Sequence, residues 1–538
     1  MRLERFLSCD VLVFGSGLAG ISAAVAAAEA GADVALACRG RLFSGSSFYP
    51  GTWGLGLVGP DGADDEDDLA ATIERVGCGM ADPVLVRAFV GGIGPAVSRL
   101  RGRGVRLRRA GQGGQREYVP CFDHKHRDWN GIEFESVREV FSGLLERLGV
   151  RVLAGWEAVE LVRDAGRVAG AVLAGPDGLR YAGARAVVLA TGGYGGLFAR
   201  HLCTEDVEGL GQALALEAGA TLVNMEFMQV MPAYVSPAPR TVFNEKAFRF
   251  ARLERSDGTP LLEGPDVAEI LDERSTYGPF TSRLPSRVVD LALCAELKAG
   301  DRGVKVTYDE ALVRRMPEFL KTYFDWLREA KGLTPADPVW IAPFAHAANG
   351  GVLIDTDGSC GVEGLFCAGE VTGGMHGADR LGGLSTANGL VFGERAGAAA
   401  ARACADAPCV PSSWELEAWG AGERLGASVL SRLRETMDAH ALLVREEEGL
   451  ASALRRVREL GRELACERRE TTDVRAIARD RRLMGQLMCA EAVLLAARLR
   501  RESRGSHFRA DFPCEDPGQV KRITVAIREG RGLDARFV

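Results

Sequence analysis

No two of the thirteen cysteines in this chain are spaced as CxxC. Iron–sulfur or zinc ligation is therefore not suggested, and the cysteines read as reduced thiols of a cytoplasmic protein. No apolar run reaches the roughly 18 residues that a membrane helix needs. The Ala-rich run from Ile21 ends at Glu29 and Gly31. The first residues enter a strand by Val11 with no secretory leader, so a soluble protein without its own membrane segment is expected. A basic balance is lacking too. Net charge of −7 and a pI near 5.7 argue against a nucleic-acid surface. The basic clusters Arg99–Arg109 and Arg455–Arg482 read as solvated helix faces.

Glycine, by contrast, is abundant and unevenly placed. Asp10–Phe14 reads as a short apolar strand, followed by Gly15-Ser16-Gly17-Leu18-Ala19-Gly20, an Ala-rich helix and a second strand, Val34–Cys38. A βαβ unit with glycines in its first turn offers backbone N–H groups and a helix end to a pyrophosphate. Gly15, Gly17, Leu18, Ala19 and Gly20 are the candidate contacts. The acid usual at the end of the second strand is absent, and Arg39 stands there. Ala186–Gly193 reads as a buried strand entering a turn at Thr191, Gly192 and Gly193. Gly364–Gly369 is a strand ending at Glu370. The helix beginning near Leu384 puts Ser385 and Thr386 at a terminus with free N–H groups. The pattern is α/β, a doubly wound Rossmann-like domain. The acidic run Asp64–Asp68 reads as helix capping. His124 and His126 have no third metal ligand at useful spacing, so Gln112–Gly131 is expected to be a loop over the cofactor or a substrate-facing lid.

The block His376-Gly377-Ala378-Asp379-Arg380-Leu381-Gly382-Gly383 resembles the His-Gly-Ala-Asn-Arg-Leu-Gly-Gly of the succinate dehydrogenase, fumarate reductase and L-aspartate oxidase flavoproteins. His346 before Gly350-Gly351, Gly369-Glu370, Ala190–Gly193, Met225–Gln229 and Glu502–His507 are similar to the same family, so the resemblance spans nearly the whole chain. It implies FAD, with Glu370 at the ribose. Ser44, Ser46, Ser47 and Gly51 lie in the loop that in some members carries a flavin-linking histidine. Gly45 replaces that histidine, which implies non-covalent FAD.

The resemblance also implies an FAD domain of residues 1–232 and 341–405, an inserted capping domain of 233–340 and a C-terminal helical domain of 411–538. It implies hydride transfer between flavin N5 and the C–C bond beside a substrate carboxylate. Arg380 would grip that carboxylate with His346 beside it, Arg287 would transfer the proton, with Arg283 its rival, and Glu245 would connect the proton path to solvent. One departure concerns the substrate. Where the family has Phe-His-Pro, with a histidine for a distal carboxylate, this chain has Val230-Met231-Pro232. Methionine offers a soft apolar wall and no donor. A stand-alone enoate reductase or its reverse, an L-aspartate oxidase, and a flavoprotein subunit docked to an iron–sulfur partner are the three expectations.

Overall fold

The structure, a computed structural model, describes residues 1–109, 121–300, 302–314 and 316–538. Its main sheet is built on Arg2–Phe14, which takes Val34–Cys38 on one side and Gly178–Leu189 on the other, both parallel. Arg151–Ala154 extends the parallel part beyond Val34–Cys38. The other edge of Gly178–Leu189 is shared. Its first half pairs antiparallel with Arg167–Gly175, which leads on to Glu157–Asp164, and its last three residues pair parallel with Leu365–Cys367. The strands of the parallel core are apolar because helices cover them; Val11, Leu12, Val13, Val187 and Val188 are fully buried.

Two helices lie against each other over this sheet, Leu18–Glu29 and Leu384–Ala403. Their approach requires glycine. A Cβ on Gly393 would sit 2.5 Å from the carbonyl oxygen of Ala19, and one on Gly397 would sit 2.1 Å from that of Ala23. The sequence expectation of two helices opening at the glycine fingerprint and at Leu384 is met, and their contact brings both N-terminal ends to one region.

The long strands Met228–Ser236 and Val339–Ala348 pair antiparallel, with Met231 opposite Phe344. They run out to the cap and back, so the expected cap boundary at 233 and 340 falls inside both strands. Val304–Tyr308 and Ala251–Glu254 complete this four-stranded sheet. The helices Val267–Arg274, Arg287–Lys298 and Glu318–Lys331 cover it around a separate apolar core that includes Phe243, Phe248, Tyr323 and Ile341.

Three helices, Glu423–Ala441, Glu447–Glu467 and Val474–Leu499, form the expected C-terminal bundle. The chain does not end as helix. Ile523–Arg528 and Gly532–Phe537 form a hairpin that joins Leu222–Val223, Gly351–Leu353 and Thr372–Gly373 in a five-stranded sheet. The bundle is tied down by buried charge. Arg500 bridges Glu226 at 2.7 Å and Glu502 at 2.8 Å, and all three side chains are inaccessible to solvent. Removing one partner of such a group costs about 3–5 kcal/mol, because the other charge stays buried. The Glu502–His507 segment thus packs the bundle onto the FAD domain.

Candidate active site

The fingerprint turn leads into a cavity. Gly15 has φ of +104°, and a Cβ there would lie 2.2 Å from the Ala190 carbonyl oxygen, so this turn admits only glycine. Gly15, Gly17, Leu18 and Ala19 line the cavity. Gly20 instead serves close packing, since a Cβ on it would lie 1.8 Å from the Gly15 carbonyl oxygen. Thr191 and Gly192 line the cavity too, and the buried Thr191 hydroxyl has no protein partner among the described residues. Gly193 does not line it; a Cβ there would meet Glu370 Oε1 at 2.6 Å.

The serine loop and Glu370 form the adjoining wall. Ser47 Oγ accepts from the Leu18 N–H at 3.2 Å, Ser44 Oγ donates to Asp206 at 3.2 Å, and Ser46 Oγ donates to Glu370 at 3.3 Å. Glu370 also accepts from the Ala348 N–H at 3.0 Å; burial pushes its carboxyl above the ordinary range. Gly51 is not on this wall. It lies under the cap, where its carbonyl accepts from the Val242 N–H. Ser385, Thr386 and Gly389 bring the second helix to the cavity. At the far end Arg39 pairs with Glu208 at 2.5 Å, with Trp156 and Glu157 beside it. Of these, Trp156, Glu157, Asp206 and Glu208 carry no sequence signal.

A glycine turn at a helix start, a second helix start beside it, an unpartnered Thr191 hydroxyl and an elongated run of backbone walls suit FAD. Gly45, with φ of +81° and open space around it, leaves no side chain to link a flavin covalently.

His346, Arg380, Glu245 and Met231 meet at the other end of the cavity. Arg380 is buried, and its Nε donates to Gln229 Oε1 at 3.0 Å. No carboxylate pairs with it among the described residues, and burial lowers its pKa to about 10. Burial, with Arg380 nearby, holds His346 down to about 3, so its imidazole is neutral; its buried Nδ1 has no partner among the described residues. Gln229 closes a motif visible in the sequence, but nothing local there marks it as a site residue. Cys121, which lies in the segment expected to be a loop over the cofactor or a substrate-facing lid, lines the cavity and places its Sγ 3.4 Å from Glu245 Oε1. Met231 sits in an apolar cluster with Tyr49, Leu202, Val242 and Phe344.

The expected proton-transferring arginine is not part of this group. Arg287 opens the helix Arg287–Lys298, donates Nη1 to the Ser282 carbonyl and lies 5.9 Å over the Phe508 ring. It does not line the cavity. Its rival Arg283 is paired with Asp379 at 3.1 Å and does not line it either. The cap loop that does is Gly278–Pro279, held from behind by Arg274, which donates to the Gly278 carbonyl and pairs with Asp290. Asp65 and Asp68 are ion-pair partners of Lys125 and Arg127 rather than simple caps. His124 lies 3.4 Å from Asp68. The part of the expected lid from Gln112 to Pro120 lies outside the described residues.

Residues 10–386 match the family described as an FAD binding domain, and residues 430–536 match the fumarate reductase flavoprotein C-terminal family. L-aspartate oxidase of Mycobacterium tuberculosis is 30% identical over 98% of this chain and 96% of that protein. L-aspartate oxidase of Caulobacter vibrioides is 31% identical over 98% and 97%. Among solved structures, Mycobacterium smegmatis Sdh1 in complex with UQ1 superposes with a TM-score of 0.80 at 27% identity, covering 100% of this chain and 94% of that one. A variant of E. coli quinol fumarate reductase shares the fold, with a TM-score of 0.77 at 23% identity over 99% and 96%.

Proposed function

Because the chain belongs to the flavoprotein family that includes fumarate reductase, succinate dehydrogenase and L-aspartate oxidase, and is thereby an FAD-dependent oxidoreductase, we propose that it oxidises or reduces the C–C bond beside a single substrate carboxylate. The observation that carries this reading is Arg380, a buried guanidinium in the cavity wall with no carboxylate of its own among the described residues. Gln229 fixes its Nε, and the rest of the planar fork is left to take a carboxylate bidentately. A carboxylate held there gains negative character as the adjacent C–C bond is reduced, and a pre-oriented cation stabilises that change without reorganising.

FAD, when bound, supplies the two-electron chemistry. His346, neutral at physiological pH, donates one N–H to the same carboxylate or orients it without adding a second charge. Glu245, with the Cys121 thiol hydrogen-bonded to it, is the group at this end that can hold or release a proton at the substrate carbon. Arg287 has no part in that step. Met231, Tyr49 and Val242 form an apolar wall that excludes water and favours an uncharged substituent opposite the carboxylate.

A second reading, L-aspartate oxidation, is favoured by full-length relatives of that name at 30–31% identity. It requires a place for a second carboxylate, which the Met231 wall does not supply.

The test is anaerobic addition of L-aspartate to the oxidised, FAD-loaded protein and, in separate runs, reduction of the flavin followed by cinnamate, fumarate or oxygen. Reoxidation by cinnamate supports the single-carboxylate reading. Reoxidation by fumarate at an equal or greater rate overturns it. Flavin reduction by L-aspartate establishes the second reading. A protein that responds to none of these until an iron–sulfur protein is supplied is the partner-dependent subunit.

A further inference from the structure

Strand Val34–Cys38 ends without the acid that usually receives the adenosine ribose of a dinucleotide, and Arg39 stands in its place. The fold brings two other acids to that spot. Arg151–Ala154 runs parallel beside Val34–Cys38, with Ala154 opposite Cys38. The chain then turns at Gly155, whose φ is +80°, and stays tied to the strand end. The Gly155 N–H donates to the Gly40 carbonyl at 2.9 Å, and the Trp156 N–H donates to that of Cys38 at 3.1 Å. Glu157 follows directly, so it reaches the cavity beside Arg39 although it is distant in sequence. Glu208 arrives from the loop before the helix Leu210–Ala218.

The two acids are not equivalent. Glu208 has both oxygens engaged: Oε1 accepts from Arg39 Nη1 at 2.5 Å, and Oε2 accepts from Gln486 Nε2 at 2.7 Å. Glu157 has one oxygen engaged. Its Oε1 accepts from Arg482 Nη1 at 2.5 Å, whereas its Oε2 is buried and has no hydrogen-bond partner among the described residues. Arg39 Nε lies 3.6 Å from that oxygen, beyond hydrogen-bond reach. A buried acceptor left open is costly, and a donor that reaches it offsets the cost. Arg482 and Gln486 both stand on the helix Val474–Leu499, so the C-terminal bundle braces this end of the cavity.

We infer that Glu157 takes over the duty of the missing strand-end acid and sets the preference of the cavity for the adenosine half of FAD, its open Oε2 accepting a hydrogen bond from adenosine. The glycine turn and its helix start suit the pyrophosphate, and the adenosine is the half that runs to the end of the second strand. Two kinds of group on adenosine can donate, the ribose hydroxyls and the 6-amino group. Both are uncharged donors, and Arg482 holds Glu157 in place to receive either. The inference needs FAD and is independent of which substrate Arg380 receives.

The experiment strips the flavin from the holoenzyme and titrates it back, following flavin fluorescence. Three ligands are compared: FAD, its analogue with 2′,3′-dideoxyadenosine in place of adenosine, and its analogue with hypoxanthine in place of adenine. The parent should bind one of the two analogues about tenfold or more weaker than FAD, and which one it is identifies the donor. Glu157→Gln keeps an oxygen for Arg482 and turns its amide NH₂ to the open place. Glu157→Asp draws the carboxylate back by one methylene and repeats the comparison with the charge kept. Both variants should bind FAD about tenfold weaker than the parent does, and in them the same analogue should differ from FAD by no more than about twofold. Equal binding of FAD and both analogues by the parent overturns the inference, whatever the variants do. Unchanged FAD affinity in either variant also overturns it. So does an analogue penalty that persists in the variants, which would assign the donor to another residue.

Discussion

Arg283 reaches from the cap to Asp379, 3.1 Å away, and so ties the cap to the residue immediately before Arg380, the proposed carboxylate holder. The resembled motif has a neutral asparagine at that place. The acid here is fully buried, accepts from the Thr281 hydroxyl at 2.8 Å, and leaves Oδ1 without a partner among the described residues. Burial raises its pKa to about 6 despite Arg283.

A raised acid pKa makes ionisation unfavourable to the folded state. The folded protein therefore binds the extra proton between the unfolded value near 4 and about 6, and stability falls as pH rises through that window. Asp379→Asn does not titrate. Its stability relative to the parent should increase by roughly 2–3 kcal/mol from pH 4 to pH 7, read as a difference in urea midpoints at the two pH values. A constant difference would mean that Asp379 keeps an ordinary pKa.

Arg380→Lys keeps the positive charge and loses the planar fork. We expect kcat/KM for the carboxylate substrate to fall about 100-fold or more, with the flavin still bound in the absorbance spectrum. A loss of flavin instead would place Arg380 chiefly at the cofactor.

Two substitutions separate the proton routes. Arg287→Met should leave kcat within about threefold, because its guanidinium points to Ser282 and Phe508. Glu245→Gln should lower kcat by about 10²–10⁴-fold, the range for losing a general acid or base. Steady-state rates and the pH profile of kcat check both, and the reverse ranking would return the proton to Arg287.

Met231→His puts a donor into the apolar wall. Its expected effect is a KM for fumarate lowered about tenfold, with a smaller or opposite change for cinnamate. An unchanged preference would move the specificity away from this wall.

A residue's role is legible in this sequence where its neighbours are close along the chain. Gly15 is diagnostic because its turn forces a positive φ between a strand and a helix, all within a few residues. Glu370 stands out because a short apolar strand ends there, and Thr191 stands out in the same way. Arg287 and Arg283 cannot be separated by sequence, because their directions depend on Ser282, Phe508 and Asp379, and the last two belong to distant parts of the fold. Trp53 looks like an ordinary loop residue until the cap's Phe319 and Tyr323 are placed beside it. The Ile523–Arg528 hairpin escapes notice because six residues after a long helical stretch are a weak signal; its partner strand Leu222–Val223 has only two.

That hairpin also bears on the order in which the protein can be completed during synthesis. Gly351–Leu353, just beyond His346, and Thr372–Gly373, just beyond Glu370, lie in the sheet that residues 523–537 finish. On the ribosome, strands flanking two cavity residues are made well before their last sheet neighbours emerge. A nascent chain can form the glycine fingerprint early, but its cofactor pocket acquires its full framework only once nearly all of this sequence has left the exit tunnel.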